Sequence, residues 1–225
     1  MKLLVSGTDT GIGKTLVTCL VLRALKARGK SAVGMKPVAA GINLQNSWDD
    51  VELIRAASSI SAPLEDVAPY RLRAPASPHF AAAEEGITIQ SATILAALER
   101  LERRAEVVVI EGVGGFRVPL SDRMDSADMA QAIGAPILLV VPMRLGCINH
   151  ALLTAEAIAK RGLTLAGWVA NAGIDPHYGR VAETMDTISD RINTSCIGVL
   201  PDLALGQSST DRLAIDRLLE RLQAK

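Results

Sequence analysis

The chain is poor in aromatic side chains, which make up 3% of its 225 residues, so an aliphatic core is expected. It holds three cysteines, Cys19, Cys147 and Cys196, too widely spaced for a disulfide framework or a Cys-x-x-Cys metal pair. That usage fits a reducing compartment, and a cytoplasmic location is expected. It has three histidines, His79, His150 and His177, scattered without zinc-ligand spacing. It carries no excess charge of either sign: 24 Lys+Arg balance 24 Asp+Glu. A general nucleic-acid or membrane surface is therefore not expected. No apolar run reaches the roughly 18 residues that span a bilayer. The chain opens on a strand and a glycine-rich turn rather than a signal peptide.

What is present begins at once. An apolar run, Leu3-Leu4-Val5, leads into Gly7-Thr8-Asp9-Thr10-Gly11-Ile12-Gly13-Lys14-Thr15, and then into an amphipathic stretch from Leu16 to Leu25. Strand, glycine-rich turn, Gly-Lys-Thr and helix together are the layout of a nucleoside-triphosphate phosphate loop. The glycines let backbone N–H groups turn toward phosphate oxygens. The helix N-terminus adds positive charge. Lys14 is placed for the outer phosphates and Thr15 for Mg²⁺. The loop is one residue longer than the common form, with five residues rather than four between Gly7 and Gly13 and Thr8 in the usual glycine place.

β-branched runs alternate with helical patterns along the chain. Strands are predicted over 2–6, 31–36, 107–111, 136–141, 165–171 and 196–200. Helices are predicted over 14–27, 49–59, 91–104, 126–133, 148–160, 178–188 and 211–223. The alternation implies an α/β fold: one domain, 1–225, with a doubly wound, mostly parallel sheet of the P-loop NTPase type. Residues 61–86, with prolines at 63, 69, 75 and 78, suggest a loop-rich excursion over the active edge.

Ligands of such sheets sit beyond the carboxyl ends of the strands. That rule selects Glu111, which ends an apolar strand and precedes Gly112-Val113-Gly114. An acid there is placed to hold Mg²⁺; an acid capping a tight turn is the plainer alternative. Asp50 is either a second Mg²⁺ carboxylate or a helix-start acid. Lys36 closes the second strand, either directed into the crevice with Lys14 or exposed at the strand end. Arg144 and the turn Leu145-Gly146-Cys147-Ile148-Asn149 lead into a helix whose free N-terminus suits an anion such as a carboxylate. Cys147 is expected to be a small buried residue rather than a nucleophile.

Seven segments together resemble the dethiobiotin synthetase family nearly end to end. They are GTDTGIGKT at 7–15, GMKPVAAG at 34–41, PY at 69–70, SPH at 77–79, EGVGG at 111–115, LGCINHALLT at 145–154 and GWVAN at 167–171. The resemblance implies an ATP-dependent enzyme that carboxylates 7,8-diaminononanoate with CO₂ and closes a cyclic urea. It implies a carbamate and a carbamic–phosphoric anhydride on the way. Lys14 and Lys36 become charge stabilisers, with Thr10 beside the reacting end. Thr15, Asp50 and Glu111 become the Mg²⁺ set. The ATP site takes in Gly11, Ile12, Gly13, Leu16, Gly112, Val113 and Gly114. Asn171 meets the adenine edge, and Pro201, Asp202 and Leu203 border the purine. The substrate meets Lys36, Ala40 and, in the partner of a homodimer with shared sites, Gly146, Cys147, Ile148 and Asn149. Some family members have a serine at the position of Ala40 and a glutamate at that of Gly11. A cobyrinic acid diamide synthase-type amidoligase would need room for a glutaminase domain. A partitioning-type switch ATPase, the remaining alternative, generally has a lysine early in the loop, and none precedes Lys14 there.

Overall fold

A computed structural model describes residues 1–200 and 213–223. The chain runs β1 (Lys2–Gly7), α1 (Lys14–Ala27), β2 (Ala32–Met35), β3 (Val38–Ala40), α2 (Asp49–Ala57), α3 (Leu64–Val67), β4 (Tyr70–Leu72), α4 (Pro78–Glu84) and α5 (Ser91–Glu102). It continues with β5 (Val107–Glu111), α6 (Ser126–Ile133), β6 (Ile137–Pro142), α7 (Cys147–Lys160), β7 (Leu165–Asn171), α8 (Val181–Ile192), β8 (Cys196–Leu200) and α9 (Ile215–Gln223). Six strands form a parallel sheet in the order β2-β5-β1-β6-β7-β8. Helices cover both faces. This is the doubly wound architecture that the alternating pattern implied.

The central strands are largely apolar because helices cover both of their faces. Alternate residues serve opposite layers. Leu3, Val5, Val107 and Val109 join the layer under α1 and α9, with Leu20, Leu22 and Leu218. Leu4, Val108 and Ile110 join the opposite layer, with Ile94, Leu98, Leu101 and Ile133 from α5 and α6. A third cluster gathers around the fully buried Trp168, under α7 and α8. Each such buried aliphatic side chain contributes about 1.5–3 kcal/mol.

This alternation positions the site. Glu111 is two residues past Val109 and so falls on the α1 side of the sheet. Lys36 is two residues past Gly34, whose own face is pressed by Leu22 of α1 and Ile54 of α2: a β-carbon on Gly34 would lie 2.1 Å from Ile54 Cγ2. Both charged side chains therefore end up at the N-terminus of α1.

Residues 61–86 are more ordered than their prolines suggested. They contain α3, β4 and α4, and β4 pairs in parallel with β3, Val38 opposite Tyr70. Three-residue strands and a four-residue helix carry too short a period to be recognised locally. Tertiary contacts hold them: the Trp48 indole donates to the Leu72 carbonyl at 2.9 Å, and the Arg71 guanidinium lies over its ring. The helix predicted over 178–188 is displaced to 181–192, ending at Asn193 in the left-handed conformation. The start of the helix predicted over 211–223, and the predicted purine border Pro201, Asp202 and Leu203, lie outside the described residues. Among the described residues no helix is long and apolar enough to cross a membrane.

Candidate active site

The turn after β1 wraps the N-terminus of α1 and opens on a cleft of about 830 Å³. Gly13 is the residue before α1, at φ +91°, a conformation open to glycine at little cost. A β-carbon there would also lie 2.4 Å from the Asn171 side-chain nitrogen. The first turn of α1 carries no acid and no side-chain cap, so its N–H groups are left for an anion.

Four polar side chains meet behind this turn. Lys36, 3% exposed, donates to Glu111 Oε1 at 2.5 Å and to Asp50 Oδ2 at 2.9 Å. Its Nζ also lies 3.4 Å from the Gly112 carbonyl. The Thr15 hydroxyl lies 2.9 Å from both Asp50 Oδ1 and Glu111 Oε1, so its one proton is shared between two carboxylates. Glu111 is 1% exposed, and its second oxygen, Oε2, is buried with no hydrogen-bond partner among the described residues. An orphaned carboxylate oxygen beside a second carboxylate and a hydroxyl is an all-oxygen set suited to a hard cation. Among the described residues no cluster of three or more His, Cys, Asp or Glu side chains is arranged for a metal. Two carboxylates suffice for Mg²⁺ that is also held by phosphates.

The electrostatics follow from burial and these contacts. Burial works against the Lys36 charge, but Glu111 and Asp50 outweigh it and hold the ammonium above the usual lysine range. Burial likewise opposes the Asp50 charge, and Lys36 with Thr15 reverses it, keeping the carboxyl below its ordinary range. Lys14 has no carboxylate contact among the described residues. Its Nζ is held by the Asp9 carbonyl oxygen at 2.8 Å. Burial, and next the Lys36 charge, push Lys14 down to about 8. A phosphate would restore the lost stabilisation, so this lysine is a charge awaiting an anion. Burial lifts the Cys19 thiol to about 12, leaving it inert as a nucleophile at neutral pH.

The cleft brings together most of the residues that the sequence singled out. Thr10, Gly11, Ile12, Gly13, Lys14, Thr15 and Leu16 line it, with Lys36, Ala40, Asp50, Glu111, Val113, Gly114 and Asn171. Asp50 lies in the first turn of α2, so both readings of it, helix-start acid and site carboxylate, describe its position. Gly112 is set back, its carbonyl toward Lys36. Asn171 is committed within the protein: its side-chain N–H donates to the Ile12 carbonyl at 2.9 Å and its oxygen accepts from Gly173 N–H at 3.2 Å. It braces the phosphate loop from the end of β7. Gly146, Cys147, Ile148 and Asn149 do not line the cleft of their own chain. They begin α7, which has no first-turn acid and no side-chain cap. Arg144 is not free for a ligand in this structure; its guanidinium pairs with Asp9 Oδ2 at 2.8 Å.

The lip from Pro75 to Pro78, with Leu53, Val118 and Ile174, also lines the cleft. The β3–β4 pairing sets this lip beside Ala40, and a β-carbon on Gly41, at φ +92°, would lie 3.3 Å from Pro75. Ser77 and Pro78 carried a signal in sequence, within the SPH segment, and Pro75 and Pro78 within the excursion expected over the active edge.

Comparison with known proteins bears on both fold and family. A family model described as an AAA domain matches residues 1–209. Among solved structures the chain is similar to the cell division ATPase MinD of Pyrococcus furiosus, with a TM-score of 0.61 and 15% identity over 99% of this chain and 98% of that one. It is equally similar, at 0.61 and 15%, to the septum site-determining protein MinD of Pyrococcus horikoshii, solved with Mg-ADP, over 100% and 97%. At that identity the likeness is one of fold. Curated relatives are much nearer in sequence. The chain is 54% identical to an ATP-dependent dethiobiotin synthetase BioD of Aromatoleum aromaticum, covering 88% of this chain and 89% of the relative. It is 51% identical to that of Nitrosospira multiformis, over 88% and 86%, and 46% identical to that of Ralstonia nicotianae, over 88% of each. With about half its residues shared across nearly the whole of these relatives, and with the phosphate loop, buried lysine and carboxylate pair meeting in one cleft, the chain belongs to the dethiobiotin synthetase family.

Proposed function

We propose that this chain is a single-domain, ATP-dependent dethiobiotin synthase, carboxylating 7,8-diaminononanoate with CO₂ and closing its two vicinal amines into a cyclic urea. The observation that carries the reading is the convergence of Lys14, Lys36, Thr15, Asp50 and Glu111 at one cleft, in a chain sharing 46–54% identity with enzymes of that name.

One amine takes up CO₂ and loses a proton to become a carbamate. A carbamate oxygen takes the γ-phosphoryl group of ATP, with ADP leaving. The second amine attacks the carbonyl carbon of that anhydride, phosphate departs, and the ring closes. The substrate supplies every nucleophile, so the protein has to supply position and charge. Lys14 serves the outer phosphates. Lys36 is carried at the end of β2 toward the reacting oxygens, and Thr10 stands where the loop meets Gly114: a β-carbon on Gly114 would come within 3.4 Å of the Thr10 hydroxyl. Thr15, Asp50 and Glu111 would hold Mg²⁺, which supplies positive charge against the phosphates. Gly11, Ile12, Gly13 and Leu16 offer the backbone cradle, with Val113 and Gly114 opposite. Asn171 would meet the base from the end of β7.

We also propose a homodimer. The face of α7 supports it. Only Cys147, Ala151 and Ile158 of its 14 residues are buried, while Leu153 is 57% exposed and Leu145, just before it, 87%. A second copy would cover these groups and bring Gly146–Asn149 toward the neighbour's cleft. There the N–H groups of Ile148 and Asn149 would receive the substrate's tail carboxylate, the Cys147 N–H being bonded to the Arg144 carbonyl.

Incubation of the protein with diaminononanoate, bicarbonate and MgATP should yield the cyclised product, detected by mass, with phosphate release that needs all three. Rapid ATP hydrolysis indifferent to the diamine would defeat the reading. Within the site, Glu111→Gln and Asp50→Asn should both raise the Mg²⁺ concentration needed for half-maximal turnover. Glu111→Gln should do so more, since it alters the buried, orphaned carboxylate. An unchanged Mg²⁺ titration for Asp50→Asn would leave that residue a helix-start acid.

A further inference from the structure

One residue outside the proposed ligand set ties three parts of the site together. The Asp9 carbonyl accepts from Lys14 Nζ at 2.8 Å. Its Oδ1 accepts from the Thr10 backbone N–H at 2.8 Å. Its Oδ2 pairs with Arg144 Nη2 at 2.8 Å, from the turn between the neighbouring strand β6 and α7. The side chains are 48% and 37% exposed, so as a contribution to stability the pair is worth at most about 1 kcal/mol.

Orientation is what the arrangement supplies. The phosphate loop has one residue more than the common form, and each added residue brings two soft backbone dihedrals. Glycines at 7, 11 and 13 widen the choice of conformations rather than narrow it. The Asp9–Thr10 peptide is pinned from both sides: Oδ1 fixes the N–H of Thr10, and Arg144 fixes the carboxylate that does so. With that peptide set, the Asp9 carbonyl faces Lys14. We propose that Asp9, braced by Arg144, is the positioning residue of this lengthened loop, holding the Lys14 ammonium and the Thr10 amide in register with the reacting end of the cleft. The proposal rests on the synthase reading for what is positioned, but the brace itself acts on nucleotide binding. It also gives Arg144 a task other than the anion ligand that its place before α7 suggested.

The test uses full-length Asp9→Asn, Arg144→Ala, the double variant and Arg144→Lys. Asp9→Asn keeps an acceptor for Thr10 N–H and replaces the charged oxygen that faces Arg144 with an NH₂ group. Turnover is measured by phosphate release, with KM for ATP and for the diamine, and affinity for a non-hydrolysable ATP analogue with Mg²⁺ by calorimetry. Asp9→Asn and Arg144→Ala should each lower kcat and analogue affinity roughly fivefold, with melting temperature unchanged. The double variant should be no worse than Asp9→Asn, because contacting partners are not additive. Arg144→Lys should recover most of the loss. Wild-type kcat and affinity in both single variants, or losses that multiply in the double variant, overturn the brace. So does a raised diamine KM in Arg144→Ala alone, which would give that guanidinium to the substrate's carboxylate. If the unmodified protein binds the analogue but forms no cyclised product, the synthase reading fails, and the analogue affinities still decide the brace.

Discussion

Lys36→Met should lower turnover on the order of 10²-fold or more, and should at the same time raise the affinity of the nucleotide-free protein for Mg²⁺. The two effects have one origin. The Lys36 ammonium lies between Asp50 and Glu111, the carboxylates proposed to hold the metal. It fills the place of a cation. A divalent ion entering that set has to displace it, and the displaced ammonium becomes free to face the phosphoryl group in flight. Methionine keeps the volume and removes the competitor. It also leaves Glu111, 1% exposed, without its ionic partner. Breaking a buried pair from one side costs about 3–5 kcal/mol, so the variant should melt lower than the wild type in EDTA. Mg²⁺ binds the folded state, so adding it should restore part of that loss by mass action. Melting curves with and without Mg²⁺, and direct titration with Mn²⁺, measure this without any turnover. Identical melting in EDTA and identical metal titrations would show that Lys36 neither occupies nor guards the metal position. Normal turnover would return it to an exposed strand-end lysine, which its burial already argues against.

The order of the large sheet and the location of the cleft were legible in the chain because their signals are local. A strand apolar on both faces, a glycine turn and an amphipathic helix each span enough residues to show a period. Parallel βαβ connections then leave few topologies. Glu111 and Lys36 were legible as strand ends, and the period of two along β2 and β5 turned them to the α1 side. What was hidden depended on distance in sequence. The β3–β4 ladder joins segments some thirty residues apart and has only three pairs. The prolines of 61–86 pointed to an excursion over the active edge, but the ladder that seats the lip at Pro75–Pro78 left no local signal. Arg144 looked like a free cation before a helix because nothing in its neighbourhood announces Asp9, 135 residues away. Likewise Asn171 showed itself as a polar strand end, and only the fold reveals that its amide holds the Ile12 carbonyl.

Mixing two inactive variants should restore activity to about a quarter of the wild type. The first variant is Lys14→Ala, which loses the phosphate-end charge. The second is Asn149→Asp, which places a fixed carboxylate in the first turn of α7. That turn has no acid of its own, and an acid near a helix N-terminus is favourable, so the variant should fold. The same carboxylate would repel a substrate carboxylate arriving at those N–H groups and raise the KM for diaminononanoate sharply. In a two-fold symmetric dimer with each cleft completed by the partner's α7, a heterodimer of these chains contains one site with both defects and one with neither. Random association of equal amounts makes half the dimers heterodimeric, and half their sites are intact, which gives about a quarter. Phosphate release at a diamine concentration near the wild-type KM measures it, with native mass spectrometry to count heterodimers. Heterodimers present without recovered activity would place the loop lysine and the α7 turn in the same subunit's site. The exposed Leu145 and Leu153 would then need another reason to be apolar. Recovery would mean that the distance between two chains, rather than any single pocket, sets the length of substrate that this enzyme accepts.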